Sequence, residues 1–128
     1  MSFTLDASAI LAMLLDEPGG DYVYARLNAS QISVVNLSEI YATLLDGGMT
    51  FEEAEAIINP LPFRIRTFRD AHAGKVAQLR PLTKPLGLSL GDRACIAQSI
   101  FNELPILTAD RRMAEAKSLL DVDIRLIR

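Results

Sequence analysis

The chain has one cysteine, one histidine, no long apolar run and no excess of positive charge, and each shortage removes a class of explanation. Cys95 stands alone among 128 residues, so neither an internal disulfide nor a thiolate zinc cage supports the fold, and a reducing, cytoplasmic setting is expected. His72 has no serine or cysteine visibly paired with it, which leaves no histidine-based nucleophilic site in view. No G-x-x-x-x-G-K or G-x-G-x-x-G pattern occurs, so P-loop and dinucleotide sites are not indicated. No apolar run approaches membrane-spanning length, and Met1 leads straight into the strand-like Phe3-Thr4-Leu5 with no basic segment before an apolar one. A soluble, unexported protein with no membrane partner is expected. With 16 acidic and 13 basic side chains the formal net charge is −3, so the whole-molecule field would not draw in a polyanion. Any nucleic-acid contact needs a local patch. Basic residues gather loosely between Arg64 and Lys84 and again from Arg111 to Arg128, and a solvated face is the plainest reading of that scatter.

What is present describes a packed globular chain. Half of the residues are hydrophobic (50%) and 23% are charged, and no linker, repeat or low-complexity segment interrupts the sequence, so residues 1–128 are read as a single domain. Phe3-Thr4-Leu5 reads as a short buried strand, followed by a helix with Ile10, Leu11, Leu14 and Leu15 on one face. Pro18-Gly19-Gly20 stops that helix, and Asp21 is placed to cap a shorter one running through Tyr22, Val23 and Leu27. Ile32-Ser33-Val34-Val35 is rich in β-branched residues and reads as a second strand, after which Asn36-Leu37-Ser38-Glu39 opens a helix closed by Gly47-Gly48. Thr50-Phe51-Glu52-Glu53 is a capping box. Phe63-Arg64-Ile65-Arg66 alternates apolar and basic, which suits a strand near a sheet edge. A helix carrying Phe68, His72, Val76 and Leu79 follows, and Pro81 and Pro85 then interrupt the chain. From Asp92 onward a wide apolar face (Ala94, Ile96, Ala97, Ile100, Phe101, Leu104) predicts a central, largely buried helix. Pro105-Ile106-Leu107-Thr108 and Ile124-Arg125-Leu126-Ile127 read as a fourth and a fifth strand flanking a short helix. Strands alternating with helices imply right-handed crossovers and a mainly parallel sheet covered on both faces, an α/β fold built as a three-layer α/β/α sandwich.

Four acidic residues, Asp6, Glu39, Asp92 and Asp110, fall where strands end or helices begin. Each has an ordinary structural reading, because carboxylates at helix starts satisfy free N–H groups and face the positive end of the helix dipole. Asn36-x-x-Glu39 and Ser89-x-x-Asp92 both resemble capping boxes. Together they ask for more. In a parallel α/β sheet the strand exits and helix starts share one edge, where ligands bind. Carboxylates gathered there would repel and take up protons unless a cation neutralised them, and oxygen-only ligands favour Mg²⁺ or Mn²⁺. Such a centre is one way to hydrolyse phosphodiesters. Asp92 is the member whose arrival at that edge depends most on the path of the chain, with a loop from Pro81 to Gly91 expected to carry it across the sheet. Ser8 and Thr108, beside Asp6 and Asp110, are candidate hydrogen-bonding partners of the acids. Arg93 and Arg111, adjacent to Asp92 and Asp110, are the basic residues best placed to meet a phosphate, with a surface ion pair as the alternative.

Four blocks carry a resemblance that spans essentially the whole chain: Leu5-Asp6-Ala7-Ser8-Ala9, Val35-Asn36-Leu37-Ser38-Glu39, Ser89-Leu90-Gly91-Asp92-Arg93-Ala94 and Leu107-Thr108-Ala109-Asp110-Arg111. In this order the sequence resembles the PIN-domain ribonucleases, and more closely the VapC-type toxins of toxin–antitoxin pairs. The resemblance implies a five-stranded parallel sheet of order 3-2-1-4-5 with the acids at one end. It implies Mg²⁺ or Mn²⁺ as cofactor and RNA as substrate, with Asp6, Glu39 and Asp92 as the main metal-binding acids and Asp110 as a fourth. A homodimer inhibited by a cognate VapB-like antitoxin is also implied. The chain departs from the pattern after Asp110, where many relatives have an aromatic residue and this one has Arg112-Met113. Two other readings stay open: a metal-dependent DNA nuclease or phosphatase on a similar sheet, and a non-catalytic protein-binding α/β module. Asp6-Ala7-Ser8 lacks the second aspartate that aspartyl-phosphate phosphatases use, which counts against the phosphatase.

Overall fold

A computed structural model describes all 128 residues. Five strands, β1 (Phe3–Leu5), β2 (Ser30–Ser33), β3 (Arg64–Arg66), β4 (Ile106–Thr108) and β5 (Ile124–Leu126), form one sheet of order β3-β2-β1-β4-β5. Every pairing is parallel. The helices are α1 (Ala7–Leu14), α2 (Gly20–Tyr24), α3 (Val34–Asp46), α4 (Phe51–Ile58), α5 (Asp70–Thr83), α6 (Leu90–Asn102), α7 (Arg111–Glu115) and α8 (Lys117–Leu120). Short 3₁₀ turns lie at Leu27–Ala29 and Lys84–Leu86.

Two apolar cores lie on the two faces of the sheet, and the period of two along each strand decides which residue serves which core. Phe3, Leu5, Ile32 and Leu107 face the core built with α1 to α4, which includes Ile10, Val23, Ile40, Leu44 and Ile58. Ile106 and Ile124 face the core built with α5, α6 and α7, including Val76, Leu79, Ile96 and Met113. On β1 and β2 the alternate positions are Thr4 and Gln31, fully covered yet polar. Gln31 Nε2 donates to Thr4 Oγ1 (2.9 Å) and Asn102 Oδ1 (3.3 Å), and Arg66 Nε donates to Gln31 Oε1 (2.8 Å). Each buried polar group in that layer needs such a partner, since an unpaired one would cost about 1–3 kcal/mol.

Helix α6 is the central helix that its apolar face predicts: Gly91 and every residue from Ala94 to Ser99 are buried. Cys95 is fully buried and reduced, a small apolar group of the core. The expected capping box at Thr50 is present, with Glu53 N donating to Thr50 Oγ1 and Thr50 N to Glu53 Oε1 (3.2 and 2.9 Å). His72 is packed between Phe68 and Phe101, with Nδ1 accepting from Arg69 N at 3.1 Å.

Several boundaries differ from the sequence reading. The second strand ends at Ser33 rather than running on through Val35, because the Ser33 hydroxyl accepts from Val35 N at 3.2 Å and caps α3 there. Asn36 and Glu39 therefore lie inside α3, and the capping box read at Asn36 does not exist. Asp21 does not cap α2; Gly19, in the left-handed conformation, precedes it, and Leu27 belongs to the following 3₁₀ turn. Pro81 does not break the chain, for α5 continues through it to Thr83. So near a C-terminal end a proline forfeits a single helical hydrogen bond, and Thr83 Oγ1 donating to Leu79 O (2.9 Å) binds the last turn.

Candidate active site

The four acids divide into Asp6 and Glu39, on both of which the charge of Asp92 acts, Asp92 itself, and Asp110, which stands apart. Asp6 leaves β1 and caps α1, accepting from Ala9 N (3.0 Å) and Ser8 Oγ (2.7 Å) on Oδ1 and from Thr108 Oγ1 (2.5 Å) on Oδ2. With 4% of its surface exposed, Asp6 is the one carboxylate in the core. Burial raises its pKa from 3.8 to about 6, against the three hydrogen bonds, which favour the anion, and with the charge of Asp92 adding to the rise. Glu39, half-buried on α3, is likewise raised by burial, opposed by the Asn36 hydrogen bond and reinforced by Asp92.

Asp92 reaches this edge on the first turn of α6. Ser89 N donates to Asp92 Oδ2 (2.9 Å) and Asp92 N to Ser89 Oγ (3.1 Å), so the sequence-predicted capping box is formed. One turn further on, the Cys95 thiol is pushed well above its ordinary range, first by burial and then by the charges of Asp6, Asp92 and Glu39 together. The three acids thus lie near enough to this one buried thiol for each charge to act on it. The loop expected to carry Asp92 across the sheet is shorter than supposed, a 3₁₀ turn at Lys84–Leu86 and a few residues beyond it.

Asn36 and Gly91 belong to the site, although the sequence reading gave Asn36 a capping role and Gly91 none. Asn36 Nδ2 donates to Glu39 Oε1 (2.7 Å) and to Gly91 O (3.0 Å), tying α3 to the start of α6. Its Oδ1 is buried with no partner. A Cβ on Gly91 would overlap the Glu39 carboxylate, so only glycine permits this approach. The signals were legible in part: Asn36 and Glu39 are three apart on one helix, and a glycine inside a helix, costing about 1 kcal/mol relative to alanine, asks for a packing reason.

Asp110 caps α7 through Arg112 N (2.9 Å) and pairs with the Arg112 guanidinium at 3.5 Å. It connects to Asp6 through Thr108, whose Oγ1 accepts from Asp110 N at 3.0 Å, and its charge is not among those acting on Asp6, Glu39 or Cys95. Ser8 and Thr108 sit at the centre of this network: their hydroxyls are 3.2 Å apart and Ser8 Oγ also accepts from Ala109 N (2.9 Å). Arg93 Nη1 donates to Val76 O (3.0 Å) on α5, and its Nε is buried without a partner. Arg111 is exposed and makes no ion pair.

As the side chains stand, no three acidic, histidine or cysteine groups close around a single point. One oxygen of Asp92 accepts from Ser89 N and one of Glu39 from Asn36. The donor chemistry nonetheless fits a hard divalent ion. All donors are oxygens, Glu39 Oε2 and Asp92 Oδ1 hold no hydrogen bond, and two of the acids are raised by uncompensated burial and charge.

The family model of the PIN domain matches residues 3–119. No functionally curated protein matches in sequence. Among solved structures, the chain is similar to one described as DNA-bound VapBC from Salmonella typhimurium, at 15% identity and a TM-score of 0.76, covering 100% of this chain and 99% of that one. VapBC-1 from nontypeable Haemophilus influenzae is similar at 14% identity and 0.73, covering 99% and 98%. VapBC-5 from Mycobacterium tuberculosis, described as a member of the VapBC family of toxin–antitoxin systems, is similar at 20% identity and 0.62, covering 99% and 98%. The parallel sheet of order β3-β2-β1-β4-β5, the acids at its strand-exit edge and the match over nearly the whole length agree, and the chain belongs to the PIN-domain family.

Proposed function

We propose that this protein is a metal-dependent endoribonuclease of the VapC type, the toxin of a toxin–antitoxin pair. Membership of a family of nucleases supports phosphodiester hydrolysis, and the toxin–antitoxin descriptions of its structural neighbours support the biological setting. The observation that carries the metal centre is Glu39. The three aspartates each satisfy a helix N-terminus and would be explained by capping alone. Glu39 lies in the interior of α3, caps nothing, and is nevertheless held half-buried against Gly91 with the charge of Asp92 acting on it. A carboxylate kept there at a cost in desolvation needs a cation to offset it.

In this reading Asp6, Glu39 and Asp92 hold Mg²⁺ or Mn²⁺, and Asp110 lies at the periphery of the site. When bound, the ion would supply an activated water and neutralise charge on the phosphate. The protein's own part is positional. Ser8, Ala9 and Thr108 fix both oxygens of Asp6 and favour its ionised form, while Asn36 aims Glu39 across the seam between α3 and α6. No side chain is needed as a covalent nucleophile. Arg111, unpaired beside Asp110, is the basic group available to a phosphate, whereas Arg93 is engaged with α5. An antitoxin as inhibitory partner and a homodimer as the working unit complete the proposal.

Purified protein should cut RNA in the presence of Mn²⁺, stop on addition of EDTA, and lose about 100-fold or more of its rate in Asp6→Asn and in Glu39→Gln. Single-stranded DNA or a phosphomonoester cleaved in preference to RNA would contradict the substrate, and full activity in either variant would contradict the site.

A further inference from the structure

At the opposite edge of the sheet, where the strands begin, lies a cavity of about 270 Å³. Ser30 and Gln31 of β2, Arg64 and Arg66 of β3, and Asn28 and Asn102 contribute to its lining, and no acidic residue does. Arg64 and Arg66 are two positions apart on the edge strand, so their side chains leave the sheet on the same face. Gln31 is opposite Arg64 in the parallel register.

Neither arginine has a carboxylate partner, in contrast to Arg112, Arg125 and Arg128, which pair with Asp110, Asp123 and Glu17. Arg66 is held in place all the same. Its Nε donates to Gln31 Oε1 at 2.8 Å, and Gln31, 2% exposed, is locked by Thr4 and Asn102. That leaves the terminal nitrogens of Arg66 and the whole Arg64 guanidinium without protein partners beside an open polar cavity. The C-terminal end of α6 at Asn102 brings a partial negative charge of about half a unit, well below the two full positive charges facing it.

We infer that this cavity is a phosphate-binding pocket, distinct from the carboxylate edge, in which Arg64 and Arg66 clasp one phosphate group and Asn28 offers a neutral amide donor. Two guanidinium forks match a tetrahedral group with several oxygens; a carboxylate would be satisfied by one fork and leave the other arginine unpaired. The phosphate can belong to free phosphate or to a nucleic-acid chain, and both sources present the same oxygens to the arginines.

The test uses full-length protein without divalent metal, so that it does not depend on the carboxylate site. Millimolar inorganic phosphate should raise the melting temperature by about 2 °C over chloride at equal ionic strength. Arg64→Gln should abolish the rise, and Arg80→Gln, an exposed arginine on α5, should leave it intact. Arg64 has no partner within the fold, so its variant reports on the ligand alone; Arg66→Gln, which also loses the Gln31 contact, is the confirming variant. No rise in the wild type, or an equal rise in Arg64→Gln, overturns the pocket. A short RNA with and without a 5′-phosphate, measured by calorimetry in EDTA, identifies the source. Preference for the phosphorylated end supports a terminal phosphate, equal binding of both that is lost in Arg64→Gln supports backbone phosphate, and no Arg64-dependent RNA binding beside a phosphate response supports the free anion.

Discussion

At the scale of single residues, the site trades stability for charge. Asp6 has a folded pKa of about 6 against an ordinary 3.8, so the folded protein binds this proton more tightly than the unfolded chain does. The penalty is complete above about pH 6, where it reaches about 3 kcal/mol, and it fades as pH falls through 6 toward the ordinary value. Metal-free protein should therefore melt at a higher temperature near pH 5.5 than near pH 7.5, the raised Glu39 acting in the same direction. Asp6→Asn should flatten that difference, and a melting temperature that falls steadily on acidification would refute the assignment. Gly91 offers a second test. The three atoms nearest to a Cβ there all belong to the Glu39 carboxylate, the free end of a flexible side chain. Gly91→Ala should accordingly leave the melting temperature within a few degrees while weakening Mn²⁺ binding at least tenfold, by about 1.4 kcal/mol. Both are read by differential scanning fluorimetry and titration calorimetry.

At the scale of elements, helix starts decide where the acids go. The start of α6 was legible, since Ser89 and Asp92 spell a capping box that the structure forms, and Ser89→Ala should cost about 1 kcal/mol in denaturant unfolding. The start of α3 was misread, because Val34 and Val35 favour strands while the Ser33 hydroxyl, in tertiary context, turns the chain into a helix at that point. That three-residue shift changes the meaning of Glu39 from a cap to an interior carboxylate. Pro81 was misread for a related reason, as a proline in the last turn of α5 forfeits little. The alternation of strands and helices, by contrast, was plain from the sequence, and with it the layers. The order of the strands came from the resemblance rather than from periodicity. What no pattern in one chain revealed was the approach of Gly91 to Glu39 and the bridge that Asn36 makes between α3 and α6, for those contacts join residues far apart in the chain, 55 positions in the case of Asn36 and Gly91. Nor did it reveal that Arg93 is spent on Val76 O, because a helix neighbour is invisible until the helices are packed.

At the scale of the whole molecule, the sheet separates two chemistries. Its strand-exit edge gathers carboxylates in a protein whose net charge is −3, and its strand-start edge holds two arginines without counter-charges. No helix is long and apolar enough to cross a membrane. Two cores on the two faces make the sheet a rigid mount, so that a ligand bound between α1, α3 and α6 should stabilise the entire fold by mass action. A metal centre and a set of helix caps make different claims about Glu39, the one acid of the three that no helix end requires. Mn²⁺ binding followed by titration calorimetry in the wild type and in Glu39→Gln separates them. The account predicts measurable binding in the wild type and at least about a tenfold loss in the variant, with its fold intact. Absence of Mn²⁺ binding, or equal affinity in the two proteins, would contradict it.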